Sequence, residues 1–327
     1  MLVIKSPSRD AYFNIATEEY LLKHKKEDVF LLYINNPAII VGKFQNTLAE
    51  INRDYVEKNG IKVVRRLSGG GAVYHDQGNL NFSFHMPYQG EDFADFKKFT
   101  RPVVDLLNEM DVPAELKGRN DLVVDGKKFS GNAKMVYKDK LLQHGTILFD
   151  SHMKILADAL KVNPLKFKDK AVKSARARVT NLVEYLPDDI SMQSFEEKLV
   201  QYITSLYPQA EEYRLTEEEM KAVKKLADEK YSTWEWNYGS SPEYNFNKGI
   251  KTSAGYIEFH LDVHGGIIKN AKVFGDFFAS KPIGEFEQQL VGRKHHSQDL
   301  KAFLKTNTTS DYFGNVSVNE LLDGLMA

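Results

Sequence analysis

The sequence predicts an α+β protein made of one large domain and a smaller C-terminal domain. Short apolar runs bounded by Gly, Pro or Asn, such as residues 29–34, are typical of buried strands, and they alternate with amphipathic segments of helical period, such as residues 194–206. The length of 327 residues and the 42% hydrophobic content allow two domains with a packed core. The pattern changes after residues 238–242 and leads into a hairpin. We therefore expect domains over residues 1–244 and 245–327.

Helices are predicted where apolar residues recur every three or four positions. Asp10 can cap the first helix, which we expect to run to about His24. Pro102 lies inside the second and should bend or divide it. The predicted helices are residues 10–24, 92–110, 151–160, 194–206 and 217–231.

Strands are predicted at short apolar runs and at alternating apolar and polar residues. The clearest alternation is in residues 80–85, where Leu, Phe and Phe alternate with Asn, Ser and His. The pair Asp125-Gly126 predicts a hairpin turn, which places Lys128 at the start of the returning strand and fixes its backbone there. The predicted strands are residues 29–34, 38–41, 61–64, 80–85, 122–127 with its hairpin, and 145–149.

The composition excludes several classes of function. There are 44 Lys and Arg residues against 45 Asp and Glu, so the chain lacks the basic excess of a nucleic-acid-binding protein. It has no cysteine, which removes disulfides, thiolate metal sites and thioester chemistry. No apolar run resembles a signal peptide or a membrane span. We therefore expect a cytoplasmic protein without nucleic-acid or membrane partners.

A glycine-rich loop between predicted strands is the main candidate for a functional site. Three consecutive glycines, residues 69–71, can turn their amides inward as a nest for an anion, and left-handed backbone is expected at Gly70 and Gly71. Arg65 and Arg66 add forked donors that match phosphate or carboxylate oxygens. The segment is neither a Walker A loop nor a Rossmann fingerprint. It predicts a site for a compact anion such as phosphate.

A second basic feature lies at residues 165–178, which are rich in Lys and Arg and lack helical or strand periodicity. Such a run is usually solvated surface, and the alternative is a mobile loop that closes over a nucleotide.

Taken together, these motifs resemble those of the lipoate-protein ligase family. The glycine-loop block, Arg65-Arg66-Leu67-Ser68-Gly69-Gly70-Gly71-Ala72-Val73-Tyr74-His75-Asp76, is long and specific. Further blocks follow in the family's order, namely residues 118–122, 128–133, 144–146 and 174–182. Trp234-Glu235-Trp236-Asn237 leads into a C-terminal part that is similar to the family's accessory domain. The resemblance spans nearly the whole chain.

The resemblance implies a fold, an activity and partners. The fold would be a mixed or antiparallel sheet flanked by helices, as in the class II synthetase-like catalytic domain of biotin and lipoate ligases, followed by a small α+β accessory domain. The activity would be ATP-dependent and Mg²⁺-dependent formation of lipoyl-AMP from free lipoate, followed by transfer of the lipoyl group to a lysine. The acceptors would be lipoyl domains of 2-oxoacid dehydrogenase E2 subunits or the glycine cleavage H protein. The ligase would be a monomer.

The resemblance also assigns roles to residues of this sequence. Lys128 and Arg66 would be catalytic, and Asp121 is a candidate ligand for the Mg²⁺ that arrives with ATP. Neither His75 nor His144 is expected to act in catalysis. ATP or the adenylate would be bound by Arg66, Gly71, Ala72, Val73, Tyr74, Asp121 and Lys128. Lipoate would be bound by Ser68, Gly70, Gly71, His75, Lys128, Gly131 and Ala133. The loop that covers the adenylate would contribute Lys173, Arg176 and Arg178.

Several related activities are alternatives to lipoate ligation. Octanoyl and lipoyl transferases of the same superfamily use a cysteine thioester, which this chain cannot form. Biotin ligases carry a Gly-Arg-Gly-Arg loop that is absent here. A non-catalytic protein that binds lipoate or a nucleotide, or that docks lipoyl domains, stays open, as does a ligase for a related acid such as octanoate or biotin.

Overall fold

The computed structural model describes residues 1–45, 47–90, 93, 95–160, 179–238, 246–264 and 266–326, without the side chains of residues 48, 49, 53 and 54. The whole basic segment 165–178 lies outside the described residues, so the prediction for Lys173, Arg176 and Arg178 falls on residues that are not described. The same holds for most of the segment 238–242, where the pattern of the sequence changes.

An eight-stranded mixed sheet forms the centre of the larger domain. Its strands in spatial order are β11 (Glu211–Glu212), β1 (Leu2–Lys5), β2 (Val29–Ile34), β6 (Asn79–Pro87), β10 (Lys140–Leu148), β9 (Lys127–Tyr137), β8 (Asp121–Val124) and β7 (Ala114–Lys117). Strand β1 runs parallel to β2 and β11, and the other neighbours pair in antiparallel fashion. The hairpin predicted at Asp125-Gly126 is confirmed, since both residues have positive φ, 49° and 74°.

Helices cover both faces of this sheet. Those of the larger domain are α1 (Ala11–His24), α2 (Thr47–Glu50), α3 (Arg53–Lys58), α4 (Lys97–Glu109), α5 (Met153–Ala159), α6 (Met192–Leu206), α7 (Glu217–Leu226) and α8 (Trp234–Asn237). A 3₁₀ turn occupies Leu182–Tyr185, and a π-helical turn, Ala227–Tyr231, extends α7. Helices α4 and α6 pack on one face against Phe30, Phe84 and Phe129, and α1 and α7 pack on the other.

Two predictions about these helices can be compared directly with the structure. Asp10 caps α1, because its side chain accepts a hydrogen bond from the amide of Tyr12 at 2.9 Å. Pro102 does not divide the second helix, which is continuous from Lys97 to Glu109. Its buried ring adds to the apolar face of α4, and this packing offsets the hydrogen bond that proline cannot donate.

A small three-stranded sheet carries the glycine-rich loop. Strand β3 (Ala38–Val41) lies between β4 (Lys62–Arg65), to which it is parallel, and β5 (Val73–His75), to which it is antiparallel. The loop therefore leaves β4 on one side of β3 and returns as β5 on the other. The sequence did not reveal β5, a strand of three residues that precedes the longer β6.

The C-terminal domain has its own sheet and core. Strands β12 (Phe246–Thr252), β13 (Gly255–His264) and β14 (Ile267–Gly275) form an antiparallel sheet. Its helices are α9 (Ile283–Leu290), α10 (Ser297–Thr306), α11 (Ser310–Phe313) and α12 (Val318–Leu325). Phe259, Phe286 and Phe313 are fully buried between them. The predicted C-terminal hairpin is confirmed, while the boundary at 244/245 stays a prediction.

The two domains meet beside the glycine-rich loop. We call residues 275–278, which begin at the last residue of β14, the strap. The Phe44 ring of the larger domain stacks on Phe277 of the strap at 4.9 Å, and the Phe44 carbonyl accepts a hydrogen bond from the amide of Gly275. The amide of Gly70 in turn donates to the Phe277 carbonyl at 3.3 Å. The strap therefore links the C-terminal domain to the glycine-rich loop.

Candidate active site

A cavity of about 110 Å³ opens between the glycine-rich loop, β9, β10 and α1. It is lined by several residues that the sequence predicted for the site: Arg66, Gly70, Gly71, Ala72, Val73, His75, Lys128, Gly131 and Ala133. Ser68, Tyr74 and Asp121 are not among its lining residues. The structure thus brings together residues from the loop and from the hairpin that begins β9, which are about sixty positions apart in the sequence.

The three glycines of the loop have different surroundings. A Cβ atom at Gly69 would overlap the backbone carbonyl oxygen of Phe277 in the strap. Gly70 has a φ of +88°, a conformation that disfavours residues with a side chain. Gly71 lines the cavity, has no left-handed φ, and would place a Cβ in open space. The expectation of left-handed backbone is confirmed for Gly70 and wrong for Gly71.

Arg66 is buried and organises the loop from within. Its Nε donates to Ser68 Oγ at 3.0 Å, and its Nη2 donates to the carbonyls of Gly69 at 2.6 Å and Gly71 at 2.8 Å. Its Nη1 donates to the Ile40 carbonyl at 3.1 Å. A guanidinium has five N–H donors, so one N–H on Nη1 has no acceptor among the described residues. Burial lowers the pKa of Arg66 to about 10, and the group stays charged at neutral pH.

Arg65, the adjacent arginine, points away from the cavity. Its Nη1 donates to the carbonyls of Gly42, Lys43 and Gln45, and its Nη2 to Thr47 Oγ1 and the Asn237 carbonyl. Its Nε donates to the Trp236 carbonyl at 3.1 Å. Arg65 therefore joins β4 to α2 and α8, and the idea that both arginines face an anion is wrong for this one.

Lys128 reaches the cavity because of an irregularity in the sheet. Leu122 pairs with Ser130, whereas Val123 pairs with Lys128, so β9 has one extra residue at this point. The Lys128 ammonium lies 2.7 Å from Asp121 Oδ1, and a Cβ at Gly131 would be 3.0 Å from the same nitrogen. The lysine side chain thus crosses over Gly131, which explains why a residue without a side chain stands three positions after it.

His75 presents a buried polar atom at the cavity. Asn35 Nδ2 donates to His75 Nδ1 at 3.0 Å, which leaves the proton of a neutral ring on Nε2. This Nε2 has no hydrogen-bond partner among the described residues. Burial, together with the neighbouring Arg66 and His144, lowers the pKa of His75 to about 3, so the ring is neutral at physiological pH. His75 can therefore donate a hydrogen bond to a polar ligand atom.

Two other predicted residues have surroundings that differ from the expectation. The Tyr74 ring is buried in the core of the small sheet, where burial raises the pKa of its hydroxyl above the ordinary range. Asp121 uses one carboxylate oxygen to pair with Lys128. Within the described ranges, no group of three or more His, Asp and Glu side chains could hold a metal ion. Nor does any described helix have the length and apolar character of a membrane span.

A buried polar cluster that was not predicted from the sequence lies behind the glycine-rich loop. Ser68 is fully buried, and its Oγ lies 2.6 Å from Nε2 of His144, whose Nδ1 lies 2.8 Å from Oε2 of Glu18. The Tyr33 hydroxyl donates to the other oxygen of Glu18 at 3.0 Å. Glu18 lies within α1 among buried residues, and an acidic residue on an apolar helix face was the one signal that pointed to it. Further lining residues that the sequence did not identify are Ile15, Tyr33, Ile40, Asn81, Asn120, Asn132, His144, Gly145 and Thr146.

The fold and this site match a class of proteins with a ligase catalytic domain and a C-terminal accessory domain, as two family models show. The family model described as "Lipoyl protein ligase A/B catalytic domain" matches residues 10–204, and the one described as "Bacterial lipoate protein ligase C-terminus" matches residues 241–325. The chain belongs to the lipoate-protein ligase family. The resemblance recognised in its motifs, the α+β class and the assignment as a ligase are thereby confirmed.

Known relatives match over nearly the full length. The lipoate-protein ligase LplJ of Bacillus subtilis is 45% identical over 318 residues, which are 96% of each protein. Among solved structures, P. falciparum LipL1 in complex with lipoate has a TM-score of 0.80 at 27% identity, covering 98% of this chain and 97% of that one. A lipoate-protein ligase A bound with ATP has a TM-score of 0.61 at 29% identity, covering 73% of this chain and 97% of that one.

Proposed function

We propose that this protein activates free lipoate with ATP to form lipoyl-AMP and pyrophosphate, and then transfers the lipoyl group to a lysine of an acceptor protein with release of AMP. One observation carries the proposal: Lys128, the buried Arg66 and Gly71 all line one cavity. Similar proteins have been solved with lipoate and with ATP, and a relative at 45% identity is named a lipoate-protein ligase.

Lys128 and Arg66 would act on the developing negative charge. Joining a carboxylate to the α-phosphate of ATP brings two anions together, and fixed cations lower the barrier most effectively when they are already in place. The hairpin fixes the backbone of Lys128, and four hydrogen bonds fix Arg66. Ala72 and Val73 would line the adenylate beside Gly71. The predicted contact of Tyr74 would be made by its backbone, because its ring lies in the core.

Mg²⁺ would enter with ATP rather than occupy a protein site. Mg²⁺ is usually held by one or two carboxylates together with substrate phosphates. Asp121 fits this pattern, since its Oδ1 pairs with Lys128 and its other oxygen, which has no ion-pair partner in the part of the chain that the structure describes, would bind the metal ion. When bound, the ion would neutralise phosphate charge.

Lipoate would bind on the apolar side of the cavity. Ile15, Ile40 and Ala133 provide apolar contacts for a hydrocarbon chain. Gly70, Gly71, Gly131 and Lys128 would surround its carboxylate, and the Nε2–H of His75 supplies one directed donor. Ser68 would support this region from behind the cavity, since it is fully buried.

The remaining parts of the proposal concern the cover and the acceptor. Lys173, Arg176 and Arg178 would cover the adenylate and protect the mixed anhydride from water. The acceptors would be lipoyl domains of 2-oxoacid dehydrogenase E2 subunits or the glycine cleavage H protein.

The test is incubation with ATP, Mg²⁺ and lipoate, with or without a panel of lipoyl domains. We expect pyrophosphate release that depends on lipoate, and a mass increase of the acceptor equal to one lipoyl group. Lys128→Ala should abolish both, whereas Lys127→Ala, which removes the neighbouring exposed lysine, should retain them. Binding of lipoate or ATP without pyrophosphate release would instead identify a non-catalytic binding protein. Octanoate and biotin in place of lipoate measure the selectivity for the acid.

A further inference from the structure

We propose that Glu18, a residue without contact to the cavity, is a positioning residue that fixes Arg66 and the glycine-rich loop through a chain of hydrogen bonds. The proposal rests on the function proposed above, because its main test measures adenylate formation. The chain joins three separate elements, namely α1 through Glu18, β10 through His144, and the loop through Ser68 and Arg66.

Each hydrogen bond from Tyr33 to Arg66 can form in one direction only. The Tyr33 hydroxyl and the His144 Nδ1–H both donate to the Glu18 carboxylate, at 3.0 and 2.8 Å. The Ser68 hydroxyl donates to His144 Nε2 at 2.6 Å, and its oxygen accepts from Arg66 Nε at 3.0 Å. Reversing any one bond would leave a buried donor or acceptor without a partner, which typically costs about 1–3 kcal/mol. The arrangement therefore fixes the direction of all four bonds.

The charge of Glu18 supports this direction. Burial by itself would raise the pKa of Glu18, but the adjacent His144 ring and the Tyr33 hydroxyl outweigh it and hold that pKa below its ordinary value. Glu18 is therefore a carboxylate, which can only accept hydrogen bonds. An acceptor at this end of the chain keeps the His144 proton on Nδ1 and leaves Nε2 to receive the serine hydroxyl.

Arg66 connects this chain of hydrogen bonds to the cavity. With its Nε held by Ser68, the planar guanidinium can direct its other nitrogens to the carbonyls of Gly69, Gly71 and Ile40. These bonds set the shape of the loop and leave one N–H for the ligand. Loss of Glu18 would free the His144 ring to rotate, and Ser68 would lose the acceptor that orients it.

The order Ser68, His144, Glu18 also matches a serine hydrolase triad, but the surroundings exclude a nucleophilic serine. Ser68 is fully buried, so a substrate carbonyl cannot reach its oxygen. The geometry supports positioning rather than covalent catalysis.

The first test compares Glu18→Ala, Glu18→Gln and Glu19→Ala by lipoate-dependent pyrophosphate release and by thermal unfolding. Glu19 is the matched control, because it is the next residue of α1, is equally buried, and pairs with Lys23 and Lys230 instead. Glu18→Ala should lower kcat/KM for ATP about 100-fold, as expected when a catalytic group is misplaced by about 1 Å. Glu18→Gln should stay within about tenfold, since its amide oxygen can still accept from His144.

Glu19→Ala should lose stability but keep kcat/KM within about threefold when assayed well below its unfolding temperature, because it lies outside the chain. Equal losses in Glu18→Ala and Glu19→Ala would overturn the proposal. A Glu18→Gln variant as impaired as Glu18→Ala would also overturn it, because activity would then not depend on the hydrogen bond that residue 18 accepts from His144.

A double substitution tests whether Glu18 acts through Ser68. If the chain transmits the effect, Glu18→Ala combined with Ser68→Ala should be no worse than the more impaired single variant. Additive losses would show two independent effects and would contradict the proposal.

A measurement on the unsubstituted protein decides the matter if Glu18→Ala does not fold. ¹⁵N-histidine NMR, with the His144 signals assigned by their loss in His144→Asn, should show the proton on Nδ1 and none on Nε2. A proton on Nε2 would overturn the hydrogen-bond chain. Lack of pyrophosphate release by the unsubstituted protein would overturn the proposed function instead, and this NMR result would stand apart from it.

Discussion

Alanine substitutions at the three consecutive glycines should have three different effects, although the residues are identical in the sequence. Gly69→Ala would place a Cβ closer to the Phe277 carbonyl oxygen than the 3.0 Å that real Cβ contacts respect. The strap or the loop must then shift, and such overpacking typically costs about 1–3 kcal/mol. We expect this variant to loosen the contact between the C-terminal domain and the loop.

The other two substitutions differ in backbone strain. Gly70→Ala forces a side chain into a φ of +88° and brings its Cβ within 3.0 Å of Arg66 Nη2. Left-handed backbone alone costs an ordinary residue about 1–2 kcal/mol. Gly71→Ala meets no atom and no such φ, so it should be neutral or stabilise the fold by up to about 1 kcal/mol through the unfolded chain.

The assay combines urea denaturation with calorimetric titration of ATP. We expect the free energy of unfolding to fall for Gly69→Ala and Gly70→Ala and to be unchanged or higher for Gly71→Ala. ATP affinity should fall in Gly71→Ala despite its stability, because its new methyl group occupies the cavity. Gly71→Ala that binds ATP normally, or that is as unstable as Gly70→Ala, would refute this assignment of the three glycines.

Further predictions concern charge and pH. Lys128→Ala should lower the rate of adenylate formation by the equivalent of about 3 kcal/mol or more. Its stability should change little, because the partly exposed ion pair with Asp121 contributes at most about 1 kcal/mol. A large loss of stability in urea denaturation would contradict this prediction. Arg66→Lys should impair both pyrophosphate release and stability, since one ammonium cannot replace four directed bonds, and a fully active variant would contradict it. Burial lowers the pKa of His75 to about 3 and of His85 to about 4, so the unfolded state binds the extra protons as the pH falls below about 6.5. The free energy of unfolding should therefore decrease by about 1.4 kcal/mol per pH unit and per histidine between pH 6.5 and pH 4, and His85→Gln should flatten this slope in urea titrations at pH 7.5 and 5.0; an unchanged slope would contradict it.

The sequence by itself determined the local structure and the family. Strand β2, helix α1 with its Asp10 cap, and the hairpin before Lys128 follow from periodicity and turn chemistry, which act between near neighbours along the chain. The glycine-rich block and the later motifs identified the ligase family in the same way, because each motif is a short contiguous pattern. Lys128, Gly131 and most of the loop were found for this reason.

Only the tertiary structure decided which of these residues face the cavity and what holds them there. Arg65 and Arg66 are equivalent in the sequence, yet alternation along β4 and the loop sends one to α8 and the other to the cavity. Gly69 is a glycine because Phe277, more than two hundred positions later, lies against it. The bonds from Glu18 to His144 and from His144 to Ser68 join residues from three elements. Contacts of this kind depend on how distant segments pack together, and no local pattern of apolar and polar residues encodes that packing.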